Sequence, residues 1–322
     1  MDLSIIIVNW NSAAYLEKCL ESVYGNTRGL EFEVIVVDNA SFDGCGEMLA
    51  RRFPRVKFIQ SQANLGFAGA NNLGFEHSSG RALLFLNPDT EVRGGAIATL
   101  LAALNRLDAA GAVGAKLLNS DGTIQTSCIQ RFPTVLNQAI DAEILRRTLP
   151  RLSVWGMRPL LEKQAGPVAV EVISGACLMM KRGVFERVGL FTTAYFMYSE
   201  DVDLCFKAHQ AGFKNYYVDD AEVVHHGGGS TEGGSQEKFA AVVMRESIAT
   251  FLALRRGKAH ATAYRASVVV AAVPRCAFLW GGLVSRDSQR FRAPLAKWKA
   301  LLRWGIGSGG PQPAAPAERS LR

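Results

Sequence analysis

With 322 residues, 48% of them hydrophobic and 20% charged, the chain can bury one large core or two small ones, and wholesale disorder is excluded. The net charge of +7 is uneven: from Arg245 to Arg322 fourteen Lys and Arg face three Asp and Glu, whereas residues 1–244 hold 22 basic and 26 acidic side chains. Cys19, Cys45, Cys128, Cys177, Cys205 and Cys276 form no CxxC pair and lie in apolar stretches, so they read as reduced core thiols of a cytoplasmic protein rather than as a disulfide framework.

MDLSIIIVNW begins a strand at once and carries no basic n-region or cleavage site, so no signal peptide is expected. Residues 14–24 follow as an amphipathic helix with Leu16, Leu20 and Val23 on one face. EFEVIVVDN is the second strand, residues 42–53 the next helix and VKFIQS the third strand. A Gly/Asn-rich turn then leads into a helix over 71–77, and RALLFLNPD is the fourth strand. Strands this apolar are buried on both faces, which predicts an α/β fold with a mainly parallel sheet and helical crossovers. Ligands of such sheets bind beyond the carboxyl ends of the strands, here the polar stretches NWN, VDNAS, SQANLGFAGANN and LNPD.

Helix 96–107 and strand AVGAKLLN come next, then an irregular stretch through RFPT and the turn-rich 149–159, which fits an acceptor-side or partner-binding insertion. Regular patterning returns at Val168. GGGSTEGGSQE reads as a flexible hinge. Beyond it, 238–255 and 295–306 read as helices. Pro274 and Arg275 are expected to break the apolar run 266–285 into two interfacial helices, with Trp280, Trp298 and Trp304 at a headgroup boundary; a packed soluble helical domain or a spanning helix is the alternative. SGGPQPAAPAERSLR is expected to be disordered.

Five constellations carry the chemistry. Asp38, Asn39, Ser41 and Asp43 could receive a pyrimidine N–H or close an Asx-turn or helix cap. Asn64, Gly66, Phe67, Gly69, Asn71, Asn72 and Gly74 let the backbone approach a ligand, or form a plain turn; they are not a dinucleotide fingerprint. Asn87-Pro88-Asp89 places one carboxylate where a hard cation beside a diphosphate needs it. Glu200, Asp201 and Asp203 crowd three acids between apolar FMY and LCF, so that one can keep a raised pKa and serve as general base. His225-His226 at a strand end suits metal or phosphate contact, without zinc-site spacing.

Taken in order, SIIIVNWN, VIVVDNASFDG, NLGFAGANN, LFLNPDTEV, ISGACLMMKR, YSEDVDLC and VVHHGGGST closely resemble the family-2 glycosyltransferases, in particular their bacterial rhamnosyltransferase-like branch. The resemblance spans about residues 3–255. It implies a GT-A fold, a Rossmann-like mixed sheet flanked by helices, over a catalytic domain 1–234. A basic helical region 235–308 on a membrane surface and the tail 309–322 would follow. It implies that Asp38 meets the pyrimidine, and that Asn9, Asn11, Asn39, Asn64, Phe67, Asn72 and Asn87 line the nucleotide sugar. Ser174, Gly175 and Ala176 would lie under a sugar. Asp89 and His225, more than His226, would hold Mg²⁺ or Mn²⁺. Asp201 would be the base of an inverting transfer, with Glu200 and Asp203 orienting it or the acceptor. Where many members carry Asp-x-Asp this chain has Asn87-Pro88-Asp89, a form found in the rhamnosyltransferase-like branch.

The expected donor is dTDP-L-rhamnose, with UDP-galactofuranose or a UDP-hexose as the alternative. The expected acceptor is a lipid-linked saccharide of a cell-envelope polysaccharide, met at the inner face of the membrane. A nucleotidyltransferase would carry a Gly-rich basic loop after the first strand, which NWNSAAYLEK lacks. A nucleic-acid module is at odds with the acids at 200–203.

Overall fold

The computed structural model describes residues 1–140, 156, 166–227, 234–285 and 289–308. Apart from Gly156, the turn-rich 149–159 stretch lies outside the described residues, as do hinge residues 228–233 and the 309–322 tail. Contacts divide the chain into Met1–Phe132 with Ala142–Ser230, and Pro133–Asp141 with Thr231–Arg322. The second unit therefore takes in a short segment, Pro133–Asp141, that the sequence places inside the catalytic domain. Its helix Val135–Ala139 is closed by a capping box between Thr134 and Asn137.

In the first unit, β1 (Leu3–Asn9) is buried at every residue. It pairs in parallel with β2 (Phe32–Asn39) and β4 (Ala82–Leu86), and β2 pairs in parallel with β3 (Lys57–Ser61). Parallel neighbours need crossovers, and helices Ala13–Asn26, Cys45–Arg52 and Gly66–Glu76 supply them. β5 (Thr90–Val92), β6 (Ala110–Leu118), β10 (Cys177–Lys181) and β11 (Lys214–His225) complete the path β3-β2-β1-β4-β10-β6-β11-β5, with β8 (Val168–Val170) on β11. β7 (Ile129–Gln130) and β9 (Val172–Ile173) form a separate small pair. β10 runs antiparallel to both its neighbours, and the rest of its half is mixed.

Two boundaries differ from the sequence expectation. The second helix begins at Cys45 rather than 42, because Phe42 and Gly44 have φ of 49° and 86° and cannot be helical. The third begins at Gly66 rather than 71. There Asn39 Oδ1 accepts the Leu65 N–H and Asn64 Oδ1 accepts the Gly66 N–H, which satisfies donors a helix start leaves open.

The second unit is helical: Gly234–Arg256, Lys258–Ser285 and Arg292–Gly305. The latter half of the hinge sequence, from Gly234, is helical rather than flexible. Pro274 does not break the long helix. Arg275 Nη1 donates to the Ala271 carbonyl at 2.8 Å beside the bond that proline removes, and its guanidinium lies 4.6 Å from the Trp298 ring centre. Trp304 is fully buried, with Arg265 stacked on it and Glu246 accepting both the Arg265 guanidinium and the indole N–H. Trp304 is thus a core residue and Trp298 is covered by Arg275, while Trp280 is exposed. The span Lys258–Leu283 is long and apolar enough to cross a membrane by length and composition, with mean hydropathy 1.6. Ala266, Val270, Val273, Pro274, Ala277, Phe278, Trp280 and Gly281 are all exposed along it.

At the amino ends of the strands, buried Glu33 Oε1 accepts Ser4 Oγ (2.7 Å), Ser79 N (2.6 Å) and Ser79 Oγ (2.7 Å), and its Oε2 pairs with Lys57 at 2.6 Å. A Cβ at Gly80 would come within 2.3 Å of Ser4 N, so glycine lets the loop close on this network. Burial opposes charge on Glu33, but Lys57, Ser4 and Ser79 outweigh it and hold the carboxyl at about 2. A depressed carboxylate stabilises the fold above its unfolded value of 4.5 and loses that contribution as pH falls toward 2. Glu33→Gln should therefore lose on the order of 3 kcal/mol at pH 7. It should also flatten the acid limb of urea-unfolding stability between pH 4.5 and 2; a variant as stable as wild type at pH 7 would remove the network from the fold's supports.

Candidate active site

The carboxyl ends of β1 and β2 are joined by side chains. Buried Asn9 points its Nδ2 at Asp38 Oδ1 (2.9 Å), Ser41 Oγ (3.1 Å) and both Asp43 oxygens (3.2 and 3.1 Å). Asp38 also accepts the Ser41 hydroxyl, the Phe42 N–H at 3.0 Å and Gln60 Nε2 at 2.7 Å. Burial works against the charge on Asp38, but these donors prevail and hold its pKa below the usual value. Asn11, Ala40 and Phe42 adopt positive φ around the same loop. Such backbone strain persists only where the surroundings fix it.

This arrangement bears on two expectations. Both Asp38 oxygens bond within the chain, so its observed work is to lock the loop. Asp38, Asp43 and Cys45 also gather within 4.8 Å, a donor set a metal could use. In this conformation the Asn9 amide donates into the two carboxylates, and burial pushes the Cys45 thiol far up, where it keeps its proton. Asn9 Oδ1 is left without a hydrogen-bond partner among the described residues.

The Gly/Asn stretch is largely structural as well. Asn39 Nδ2 reaches Asn64 Oδ1 and the Gly66 carbonyl. Gly66 has φ of 68°, and a Cβ there would stand 2.6 Å from the Phe196 carbonyl oxygen. Asn72 clasps Phe191 twice: its Nδ2 donates to the Phe191 carbonyl at 2.9 Å and its Oδ1 accepts the Phe191 N–H at 3.1 Å. The side-chain amides of Asn39 and Asn72 are thus engaged within the chain. Exposed Asn11 and Asn64 and partly buried Phe67 remain accessible to a ligand.

At the end of β4, Asp89 Oδ1 lies 3.3 Å from His225 Nε2, and Asn87 Nδ2 lies 3.4 Å from the same nitrogen. Burial opposes ionisation of Asp89, but the His225 contact lowers its pKa below the ordinary value. His226 turns elsewhere, its Nε2 on Glu91 and its Nδ1 on Ser120, each at 2.8 Å. The histidine pair is thus divided, with His225 on the Asp89 side. One carboxylate oxygen and one imidazole nitrogen about 3 Å apart suit adjacent ligands of a divalent ion.

The acids at 200–203 also divide. Asp203 is fully buried and accepts Thr192 Oγ1 (2.6 Å) and Tyr195 OH (3.1 Å), so it tethers the preceding loop. Asp201 is partly buried at the amino end of helix Glu200–Gln210. Its Oδ2 accepts the Gly175 N–H and its Oδ1 the Val202 N–H, both at 2.8 Å. Glu200 is buried, and its Oε2 has no hydrogen-bond partner among the described residues. Burial, then the neighbouring Asp201 charge, pushes Glu200 up to about 8; burial also raises Asp201, against its two N–H donors. Glu200 keeps the proton at neutral pH, while the two N–H donors and the helix start favour charge on Asp201 against its burial.

Backbone contacts tie these parts together. Asn87 N donates to the Ala176 carbonyl at 3.0 Å, and Ala176 follows the Gly175 that binds Asp201. Ser174 N donates to the Cys128 carbonyl, placing Ser174–Ala176 between β4, Asp201 and the 125–128 turn. That turn holds Gln125, whose side chain meets His225 and which sequence reading did not single out. It stands in the irregular stretch GTIQTSC, with no periodicity or motif to mark it.

Residues 4–189 match the family description Glycosyl transferase family 2. An N-acetylglucosaminyl-diphospho-decaprenol L-rhamnosyltransferase of Mycobacterium tuberculosis is 32% identical over 237 residues, 69% of this chain and 75% of that protein. The low-salt glycan biosynthesis hexosyltransferase Agl10 of Haloferax volcanii is 27% identical over 228 residues, 69% of this chain and 66% of that protein. The solved mannosyltransferase PcManGT of Pyrobaculum calidifontis, in complex with GDP-Man and Mn²⁺, aligns with a TM-score of 0.53 and 19% identity over 95% of this chain and 86% of its own. That likeness shows the fold.

The Glu200 proton has a measurable consequence. The unfolded chain releases it near 4.5 and the folded chain near 8, so the folded state binds the extra proton between them and stability falls as pH rises through that window. Glu200→Gln is expected to raise the Tm at pH 8.5 by roughly 4 °C or more and to leave it unchanged at pH 4.5. Equal shifts at both pH values would mean that Glu200 is ionised in the fold.

Proposed function

The chain belongs to glycosyl transferase family 2, in its rhamnosyltransferase-like branch and with a GT-A fold, and from that premise we propose that it is an inverting, metal-dependent enzyme that transfers L-rhamnose from dTDP-L-rhamnose to a hydroxyl of a lipid-linked saccharide in cell-envelope polysaccharide synthesis. The observation that carries the reading is the short path from Asp89 and His225 through Asn87 and Ala176 to Gly175 and Asp201. It links the Asp89–His225 pair to the Asp201 carboxylate through a few hydrogen bonds.

In this reading Asp89 and His225 would hold Mg²⁺ or Mn²⁺. Such an ion supplies neutralisation of the charge that gathers on the leaving group. Asn11, Asn64 and Phe67 receive the nucleotide, and Ser174–Ala176 lie beneath the sugar. Asp201, held by two N–H groups, accepts the acceptor hydroxyl proton as that oxygen bonds to the anomeric carbon. The bond from that carbon to the diphosphate breaks on the opposite side, and the configuration inverts. General-base catalysis contributes about 10²–10⁴-fold.

The relative named a hexosyltransferase and the neighbour bound to GDP-Man favour a second reading, the same transfer with another hexose donor. The exposed apolar run from Ala266 to Gly281 supports a place at the inner face of the membrane, and exposed Lys258, Lys297, Lys299 and Arg303 support attraction to anionic lipid.

A donor screen with Mg²⁺ or Mn²⁺ tests the reaction. Nucleoside-diphosphate release is expected from dTDP-L-rhamnose, rising with a lipid-diphosphate sugar acceptor. Asp201→Asn should lower turnover about 100-fold or more while leaving donor affinity within about twofold. Release from a UDP-hexose alone would select the second reading, and loss of donor binding in Asp201→Asn would remove the base role. In flotation assays wild type should bind anionic vesicles, and Val270→Glu/Phe278→Glu/Trp280→Glu should stay in solution; a variant that still floats would take the membrane role from this helix.

A further inference from the structure

Gln125 makes two contacts with one residue. Its Nε2 donates to the His225 carbonyl at 2.6 Å, and its Oε1 meets His225 Nδ1 at 2.9 Å. The carbonyl oxygen can only accept, so the amide orientation follows from chemistry: nitrogen faces the carbonyl and oxygen faces the ring. An amide oxygen also only accepts, so Nδ1 carries the hydrogen. In a neutral ring the lone pair is then on Nε2, the nitrogen that faces Asp89 and Asn87.

The backbone holds Gln125 in place for this contact. Its N–H donates to the Leu117 carbonyl at 2.9 Å, and its own carbonyl accepts the Cys128 N–H at 3.2 Å. The end of β6 and the following turn thereby fix the amide against the end of β11. With Nδ1 so engaged, Nε2 of the neutral ring and the Asp89 carboxylate oxygen present lone pairs to each other, a pairing that calls for a proton or a metal cation between them.

We propose that Gln125 is the positioning residue of the metal–diphosphate site, selecting the His225 tautomer that offers Nε2 to a divalent cation held with Asp89. The proposal rests on the reading of Asp89 and His225 given above. Outer partners of this kind typically change metal affinity by about 10–100-fold when removed.

Two measurements on the full-length protein separate the claims. The first is long-range ¹H–¹⁵N NMR of the His225 ring at pH 8 without metal, in wild type, Gln125→Met and Gln125→Glu. The second is Mn²⁺ binding by EPR of the free ion, in the presence of dTDP. Wild type should show the Nδ1–H tautomer, Gln125→Met should move the hydrogen to Nε2, and Gln125→Glu, which keeps an acceptor, should retain Nδ1–H. Gln125→Met should weaken Mn²⁺ binding about 10–100-fold at an unchanged Tm. An Nε2–H ring in wild type or in Gln125→Glu overturns the proposal, as does unaltered Mn²⁺ affinity in a folded Gln125→Met. If Gln125→Met fails to fold, the Gln125→Glu tautomer decides. Wild type that has the Nδ1–H ring yet binds no Mn²⁺ would overturn the metal reading itself, while the control of the ring by Gln125 would stand.

Discussion

Asn87 N reaches the Ala176 carbonyl at 3.0 Å because β10 enters the sheet antiparallel to β4, starting from Cys177 opposite Leu86. That register sets how far the end of β4 stands from the Ser174–Ala176 turn. The turn in turn presents the Gly175 N–H to Asp201. A Cβ at Gly175 would stand 3.1 Å from the Asp201 Cβ, so backbone and acid meet with little room to spare. Asp89 follows Asn87 by two residues, and His225 reaches it from β11, two strands further along the sheet than β10. The distance from the end of β4 to the Ser174–Ala176 turn is thus a property of strand pairing, which hydrogen-bonded ladders hold better than loops do.

Much of this was legible in the sequence because it is local. The buried strands announced themselves as unbroken apolar runs, and their polar ends marked one edge of the sheet. The His225-His226 pair and the 200–203 acids were visible as clusters. Which member of each cluster does what was not visible, since that depends on partners far away in the chain. Asp203 is claimed by Thr192 and Tyr195, His226 by Glu91 and Ser120, and Asn72 by the backbone of Phe191. Gln125 meets His225 across a hundred positions. Such pairings follow from the tertiary fold alone.

The C-terminal unit shows the same limit from the other side. Pro274 reads locally as a break, and a proline does remove a helical hydrogen bond. The helix nevertheless continues through it, with the neighbouring Arg275 bonded to the Ala271 carbonyl and stacked on Trp298. Three tryptophans that look alike in sequence have three fates: one in the core, one beneath an arginine, one exposed. The exposed apolar residues from Ala266 to Gly281 lie on one undivided helix.

A carboxylate gripped by two backbone N–H groups has little freedom to swing. Asp201 is held through both oxygens, so under the proposed base role a sugar hydroxyl would have to be brought to it along a narrow approach. Neighbouring hydroxyls on one sugar ring differ by only a few ångströms, and a mobile base could serve several of them. A fixed one cannot. In an enzyme built this way, regiochemistry is decided by the walls that hold the acceptor, and changes of linkage would arise there while the acid itself stayed where it is.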